Sequence, residues 1–231
     1  MPTALITGAS RGLGRALALA LARRRWTLVI DARAPEPLER AAEELRAAGA
    51  AEVRAIAGDV ADPRHREQLA AAVAGELDLL VNNASVLGPS PQPALADYPL
   101  DVLSEVYATN VVAPLGIVQL CLPLLRAGGL VLSISSDASV EPYEGWGGYG
   151  SAKAALDQLT AILAAENPHL RVHAVDPGDM RTQLHADAFP GEDISDRPEP
   201  ETVVPALLEL VDGASAPLRV RAADIRAAVH P

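Results

Sequence analysis

Short apolar runs alternate with amphipathic stretches along the whole chain. Thr3–Thr7 (TALIT) is a compact apolar run that stops at Gly8, as a strand would. Leu13, Ala16, Leu17, Ala20 and Leu21 then fall on one face of a helix, and Arg23, Arg24 and Arg25 place cations in its last turn. The same alternation predicts strands at Trp26–Ile30, Val53–Ala57, Leu77–Val81, Leu130–Ile134 and Arg171–Val175. Helices are predicted over Leu38–Ala48, ended by Gly49, and after the Asp62-Pro63 start signal. Others are expected over 100–126, disturbed near Pro114 and Pro123, and over Ser151–Glu166 and Val203–Val211. Leu218–Ala222 reads as a last short strand, followed by a short polar tail. The proline-rich stretch 85–98 reads as loop, and 177–200, rich in Pro, Gly and acids, as a mobile flap.

Strands alternating with helices imply a parallel sheet covered on both faces. Right-handed crossovers make that sheet doubly wound: an α/β, Rossmann-like architecture in one domain over residues 1–231, with a substrate flap near 183–200. Ligands of such sheets sit beyond the carboxyl ends of the strands. The informative positions are therefore Thr7–Gly14, Asp31–Arg33, Asp59, Asn82–Ser85, Ser135–Ser136 and Asp176–Gly178.

Composition narrows the function classes. Thirty acidic residues against 19 basic ones give a net charge of −11, which argues against a nucleic-acid binder. Cys121 is the single cysteine, so neither a disulfide framework nor a zinc-finger pattern is possible, and no metal site is expected. No apolar run is long enough to span a membrane, and Met1–Gly8 does not resemble a secretory signal; the expectation is a cytoplasmic protein. All but one of the basic residues are arginine, the exception being Lys153, and asparagine stands only at 82, 83, 110 and 167. In a chain this biased toward Ala, Arg, Leu and Pro, the rare residue types mark where chemistry requires them.

Two motifs carry that chemistry. Thr7-Gly8-Ala9-Ser10-Arg11-Gly12-Leu13-Gly14 lies between the first strand and the first helix. Glycines there permit a tight turn and close backbone approach to a pyrophosphate, and the helix start supplies free N–H groups. Tyr149-Gly150-Ser151-Ala152-Lys153 places a phenol and the chain's one ammonium four residues apart, on one helix face. A phenol titrates near pH 10, so acid/base work near neutrality asks for a fall of about three units, or about 4 kcal/mol. A cation about 4 Å away at an effective dielectric of about 20 supplies about 4 kcal/mol.

With its G-x-x-x-G-x-G spacing and Y-x-x-x-K pair, the chain resembles the short-chain dehydrogenase/reductase family over residues 3 to about 182. The resemblance implies an enzyme that interconverts a small carbonyl compound and its secondary alcohol by hydride transfer. It implies a catalytic set of Ser136, thirteen residues before Tyr149, with Tyr149, Lys153 and Asn110. Ser136 would bind the substrate oxygen and Asn110 a relay water. It places the coenzyme on Gly8, Ser10, Arg11, Gly12, Leu13 and Gly14, on Arg33, on Asp59-Val60, and on Asn82 and Ala84 of Asn82-Asn83-Ala84-Ser85. Tyr149 and Lys153 would touch it too, as would Pro177, Gly178 and Thr182. Ser85 departs from the family's glycine at that point.

An acid at the end of the second strand would bind the ribose diol of NAD, an arginine the phosphate of NADP. The chain has both, Asp31 and Arg33; alignment to relatives puts Ala32 at the acidic position and Arg33 at the basic one, and Arg11 adds a cation. NADP(H) is expected over NAD(H), with Asp31 the argument for the opposite choice. Asp137, Tyr143 and Trp146 should border the substrate pocket, and the flap acids Asp187, Glu192, Asp193 and Asp196 disfavour anionic substrates. The C-terminus lacks the family's longer strand and glycine-rich tail, so a homodimer through the long helices is expected and a tetramer is doubtful. One other reading stays open, a dinucleotide-binding regulator or scaffold without turnover; a sugar-nucleotide epimerase is disfavoured, since it needs a larger substrate domain and a different glycine spacing.

Overall fold

A computed structural model describes residues 1–229, with side chains through Ile225. Seven parallel strands form one sheet: β1 (Thr3–Ile6), β2 (Thr27–Ala32), β3 (Glu52–Ala57), β4 (Leu77–Asn82), β5 (Leu125–Ile134), β6 (Arg171–Asp176) and β7 (Arg219–Arg221). The order is β3-β2-β1-β4-β5-β6-β7, so the chain reverses direction across the sheet between β1 and β4. This is the doubly wound arrangement, with the switch point beside the first strand.

The described helices are α1 (Gly12–Arg23), α2 (Pro35–Ala47), α3 (Pro63–Ala71), α4 (Leu100–Tyr107), α5 (Ala113–Cys121), α6 (Gly147–Glu166), α7 (Gln183–Ala188), α8 (Val204–Val211) and α9 (Ala222–Val229). They cover both faces. On one face α1, α2 and α8 bury Leu17, Leu21, Leu38, Leu45 and Leu207 against Ile6, Ile30 and Leu132. On the other, α3 and α5 pack Leu69, Ile117 and Cys121 against Leu5, Val29 and Leu80. Alternate residues of one strand therefore serve opposite faces, which is why the central strands read as continuous apolar runs. Among the described residues no helix is long and apolar enough to cross a membrane.

Five expectations need correction. The helix expected over 100–126 is broken: α4 ends at Tyr107, a turn of π-helix covers Ala108–Val112, and α5 stops at Cys121. Pro114 has no N–H to give the carbonyl of Asn110 four residues back, and Pro123 blocks continuation. β5 starts at Leu125, not Leu130, because Leu125 pairs with Leu77 ahead of an irregularity in the ladder. α6 begins at Gly147, four residues earlier than expected, so Tyr149 lies in its first turn. Glycines at 148 and 150 let that turn close on Tyr98 and the Ala138 carbonyl, where a Cβ would come within 2.2 and 2.6 Å. The flap contains a helix, α7, capped by the Thr182 hydroxyl, which accepts from the His185 N–H. The described part of the polar tail expected after the last strand is helical, as α9, through Val229.

Candidate active site

One cleft of about 1190 Å³ runs along the carboxyl ends of the strands, from the glycine loop to the flap. That exceeds an ordinary ligand pocket and suits a dinucleotide with a small second molecule. Its floor is built by close backbone approach. Gly8 has φ +66°, and a Cβ there would lie 2.9 Å from the Ala84 Cα. A Cβ on Gly14 would lie 2.6 Å from Asn83 Nδ2 and 2.7 Å from the Gly8 carbonyl oxygen. Asn83 and Thr7 fasten β4 to β1: Asn83 Nδ2 donates to the Thr7 and Gly8 carbonyls at 2.7 and 3.1 Å, and Thr7 Oγ1 accepts from the Asn83 and Ala84 amides.

α1 rises from this floor without a side-chain cap and without an acid in its first turn. α3, by contrast, is capped by Asp62, which accepts from the Arg64 N–H. The first-turn amides of α1 are thus left for an external anion. Arg11 and Arg33 line the same end of the cleft, exposed, and among the described residues neither has an ion-pair partner. Arg15 is held by Glu44. Asp31, the one acid that could have bound a ribose, is 2% exposed and already engaged. Its Oδ1 accepts from the Gly8 N–H at 2.7 Å and its Oδ2 contacts His65 Nε2 at 3.0 Å. Asp59 Oδ1 accepts from the Ala61 amide. The residues present therefore fit the pyrophosphate of a dinucleotide at the α1 start, with two exposed arginines beside it.

The opposite end holds Tyr149 and Lys153, 5% and 2% exposed. Lys153 Nζ donates to the Ile134 carbonyl at 2.7 Å and stands 5.5 Å from the Tyr149 ring centroid. Burial lowers the lysine to about 8, with Asp157 opposing. Burial pushes the Tyr149 phenol up; hydrogen bonds with Ser85 and Ser136 pull it partly back, and the Asp137 and Asp176 carboxylates add to the rise. Spacing alone leads one to expect Lys153 to bring the phenol down. In the protein alone the shift is upward, because the cost of desolvating a buried phenolate exceeds what the Ser85 and Ser136 hydrogen bonds return.

Ser136 is half-buried at the start of a 3₁₀ turn, Asp137–Ser139. Its hydroxyl donates to Asp137 Oδ1 at 3.0 Å and accepts from the Ala138 N–H at 3.2 Å. Asp137 Oδ2 also accepts from the Tyr143 hydroxyl. Trp146 meets the Tyr149 ring edge-on at 5.8 Å. Asn110 sits in the π turn, 1% exposed, and its amide closes a two-bond clamp on Val86 while Oδ1 accepts from the Ser85 hydroxyl at 3.2 Å. Its side chain thus holds the strand-end loop that carries Ser85.

Of the positions singled out in the sequence, Gly8, Ser10, Arg11, Gly12, Leu13, Arg33, Asp59, Val60, Ala84, Ser136, Tyr149, Lys153, Pro177, Gly178 and Thr182 line the cleft. Gly14 lies beneath it, Asn110 behind it, and Asn82 is buried at the β4 end with its Oδ1 unpartnered. Asn83 takes the lining role expected of Asn82. Ser85, a hydrogen-bond partner of the phenol, went unassigned in the sequence; its place in the Asn-Asn-Ala-Ser run was the available signal.

Known proteins resemble this chain in sequence and fold. A family model described as short chain dehydrogenase matches residues 2–193. A short chain dehydrogenase of Penicillium thymicola, penD, is 39% identical over 171 residues, covering 70% of this chain and 62% of that protein, a little under two thirds of its length. Serine 3-dehydrogenase of Agrobacterium fabrum is 36% identical over 191 residues, covering 79% of this chain and 73% of the relative. A short chain dehydrogenase of Shigella flexneri, solved in complex with NADP, superposes with a TM-score of 0.89 at 29% identity, over 96% of this chain and 97% of that one. With the family model spanning residues 2–193, the chain belongs to the short-chain dehydrogenase/reductase family of oxidoreductases.

Proposed function

We propose that the protein is an NADP(H)-dependent oxidoreductase that reduces a small carbonyl compound to its secondary alcohol, or runs the reverse reaction. One observation carries this reading: a buried Tyr149–Lys153 pair and the Ser136 hydroxyl border the same cleft as an uncapped, glycine-floored helix start. When bound, the nicotinamide coenzyme supplies or accepts the hydride at the substrate carbon. Arg11 and Arg33 bind its 2′-phosphate, and Asp31, held by Gly8 and His65, does not compete as a ribose ligand.

Ser136 and Tyr149 hold the substrate oxygen. Ser136 turns its proton from Asp137 to that oxygen, and Tyr149 gives its phenolic proton as negative charge builds there. A phenol kept protonated by burial suits the reductive direction. Lys153 stabilises the phenolate left behind, and Asn110 keeps Ser85 and Val86 in place beside it. Asp137 and, from the flap, Asp187 border the cleft and favour neutral or cationic substrates over anionic ones.

The outer faces of α4 to α6 expose Val112, Leu115, Leu120 and Ile162, which supports a homodimer through these helices. Coenzyme oxidation against a panel of aldehydes and ketones tests the reading. Turnover with a lower KM for NADPH than for NADH is expected. Tight coenzyme binding with no turnover across the panel would make the chain a dinucleotide-bound regulator instead.

A further inference from the structure

The Ser136 hydroxyl bonds within its own turn, to Asp137 and Ala138, and also meets the Tyr149 phenol, so its distance from Tyr149 depends on where the backbone of residue 136 is fixed. Three contacts fix it. The Ser135 N–H donates to the Val175 carbonyl at 2.8 Å, which continues the sheet, and the Ser139 N–H closes the 3₁₀ turn on the Ser136 carbonyl at 3.1 Å. The third comes from the far end of the sequence and is the one that ties this turn to other elements: Arg219 on β7 donates from Nη2 to the Ser136 carbonyl at 2.9 Å.

The Arg219 guanidinium does more than meet that carbonyl. Its Nε donates to Asp157 Oδ2 at 2.9 Å, and Nη2 also reaches Ser139 Oγ at 3.2 Å and lies 3.8 Å from Asp176 Oδ2. Ser139 in turn donates to Asp157 Oδ2. One planar fork thus ties the β5 end, the 3₁₀ turn behind Ser136, the helix that bears Tyr149 and Lys153, and the β6 end. Arg219 does not line the cleft, so it touches neither coenzyme nor substrate there. Only a rigid, multiply donating group spans these acceptors; a lysine offers one point charge on a flexible stem.

We infer that Arg219 is a positioning residue, which sets the Ser136 hydroxyl at its working distance from Tyr149 by locking the Ser136 carbonyl to α6 through Asp157. The inference rests on the Ser136–Tyr149 reading of the active site. It assigns to the short C-terminal strand a part in the reaction as well as in closing the sheet edge.

The test uses the full chain with NADPH and whichever carbonyl substrate turns over. Arg219→Ala should lower kcat by roughly 30-fold, since small misplacements of reacting groups cost up to about 100-fold. NADPH affinity, read by fluorescence titration, should stay within about twofold because the coenzyme contacts are untouched. Free guanidinium at low, non-denaturing concentration should restore part of the lost kcat in Arg219→Ala, while sodium chloride of equal ionic strength should not. Arg219→Lys should show a smaller loss and no rescue, and it serves as the informative variant if Arg219→Ala does not fold. Wild-type kcat in both variants would overturn the inference. So would losses that follow coenzyme affinity and the folded fraction without guanidinium rescue, the mark of a merely structural role. Tyr149→Phe run alongside separates the two levels. If it too keeps turnover, the active-site reading fails; if it loses turnover while the Arg219 variants keep it, only the positioning role of Arg219 fails.

Discussion

Lys153 carries a charge that its surroundings disfavour, and replacing it with methionine measures by how much. The ammonium is 2% exposed and donates to a neutral carbonyl, that of Ile134. Burial brings it from the ordinary 10.5 to about 8. Below pH 8 the lysine is charged in both folded and unfolded chains, and the folded protein bears the full desolvation cost. Between about 8 and 10.5 the native state releases its proton before the unfolded chain does, so unfolding takes up a proton and stability rises with pH. The gap between the two values corresponds to about 3 kcal/mol. Lys153→Met keeps most of the volume and removes the titration. Urea unfolding of both proteins without coenzyme, at one protein concentration and at several pH values from 7 to 10, isolates the effect, because other titrations cancel in the difference. The stability of wild type relative to Lys153→Met should climb by roughly 2–3 kcal/mol across that range. A flat difference would show that the lysine is solvated. A falling one would show an anionic partner, such as a Tyr149 phenolate, that raises the lysine pKa and reverses the trend.

Two further outcomes follow from the coenzyme end. Gly14→Ala puts a methyl 2.6 Å from Asn83 Nδ2 and 2.7 Å from the Gly8 carbonyl, so it should cost about 1–3 kcal/mol in stability and weaken NADPH binding at least in proportion, as thermal melts with and without coenzyme would report. Arg33→Ala should raise the KM for NADPH by about tenfold or more and leave that for NADH nearly unchanged, the loss of one charge-assisted phosphate contact. An equal rise for both coenzymes would show that Arg33 does not read the phosphate.

The alternation of apolar runs was enough to place the seven strands, most clearly β1, β2 and β4, which are buried along nearly their whole length and read as near-continuous apolar runs. The chemistry-bearing positions were legible for a related reason: the sheet delivers every strand end to one edge, so Thr7–Gly14, Ser136 and Asp176–Gly178 had to meet there. What escaped the sequence depended on partners distant in the chain. Gly147, Gly148 and Gly150 look like helix breakers, yet in the fold they are the small residues that let α6 start against Leu95, Tyr98 and Ala138. Asp31 has the look of a ribose ligand in the sequence, but its carboxylate is spent on Gly8 and His65. Arg219 is 83 residues from Ser136, and no local pattern links them. The direction of the phenol's shift escaped for a different cause: charge can be counted in a sequence, whereas the extent of burial around one oxygen cannot.

Tyr149 is the group to which proton transfer is assigned, and the rest of the mechanism depends on it. Tyr149→Phe removes one oxygen from a buried ring that packs on Trp146, leaving the glycine floor, Arg11 and Arg33 intact. Turnover of the carbonyl substrate with NADPH should fall by about 100- to 10,000-fold, the usual contribution of a positioned general acid, while NADPH affinity stays within about threefold of wild type. A variant that keeps near-normal kcat would refute this assignment, because the proton would then come from elsewhere.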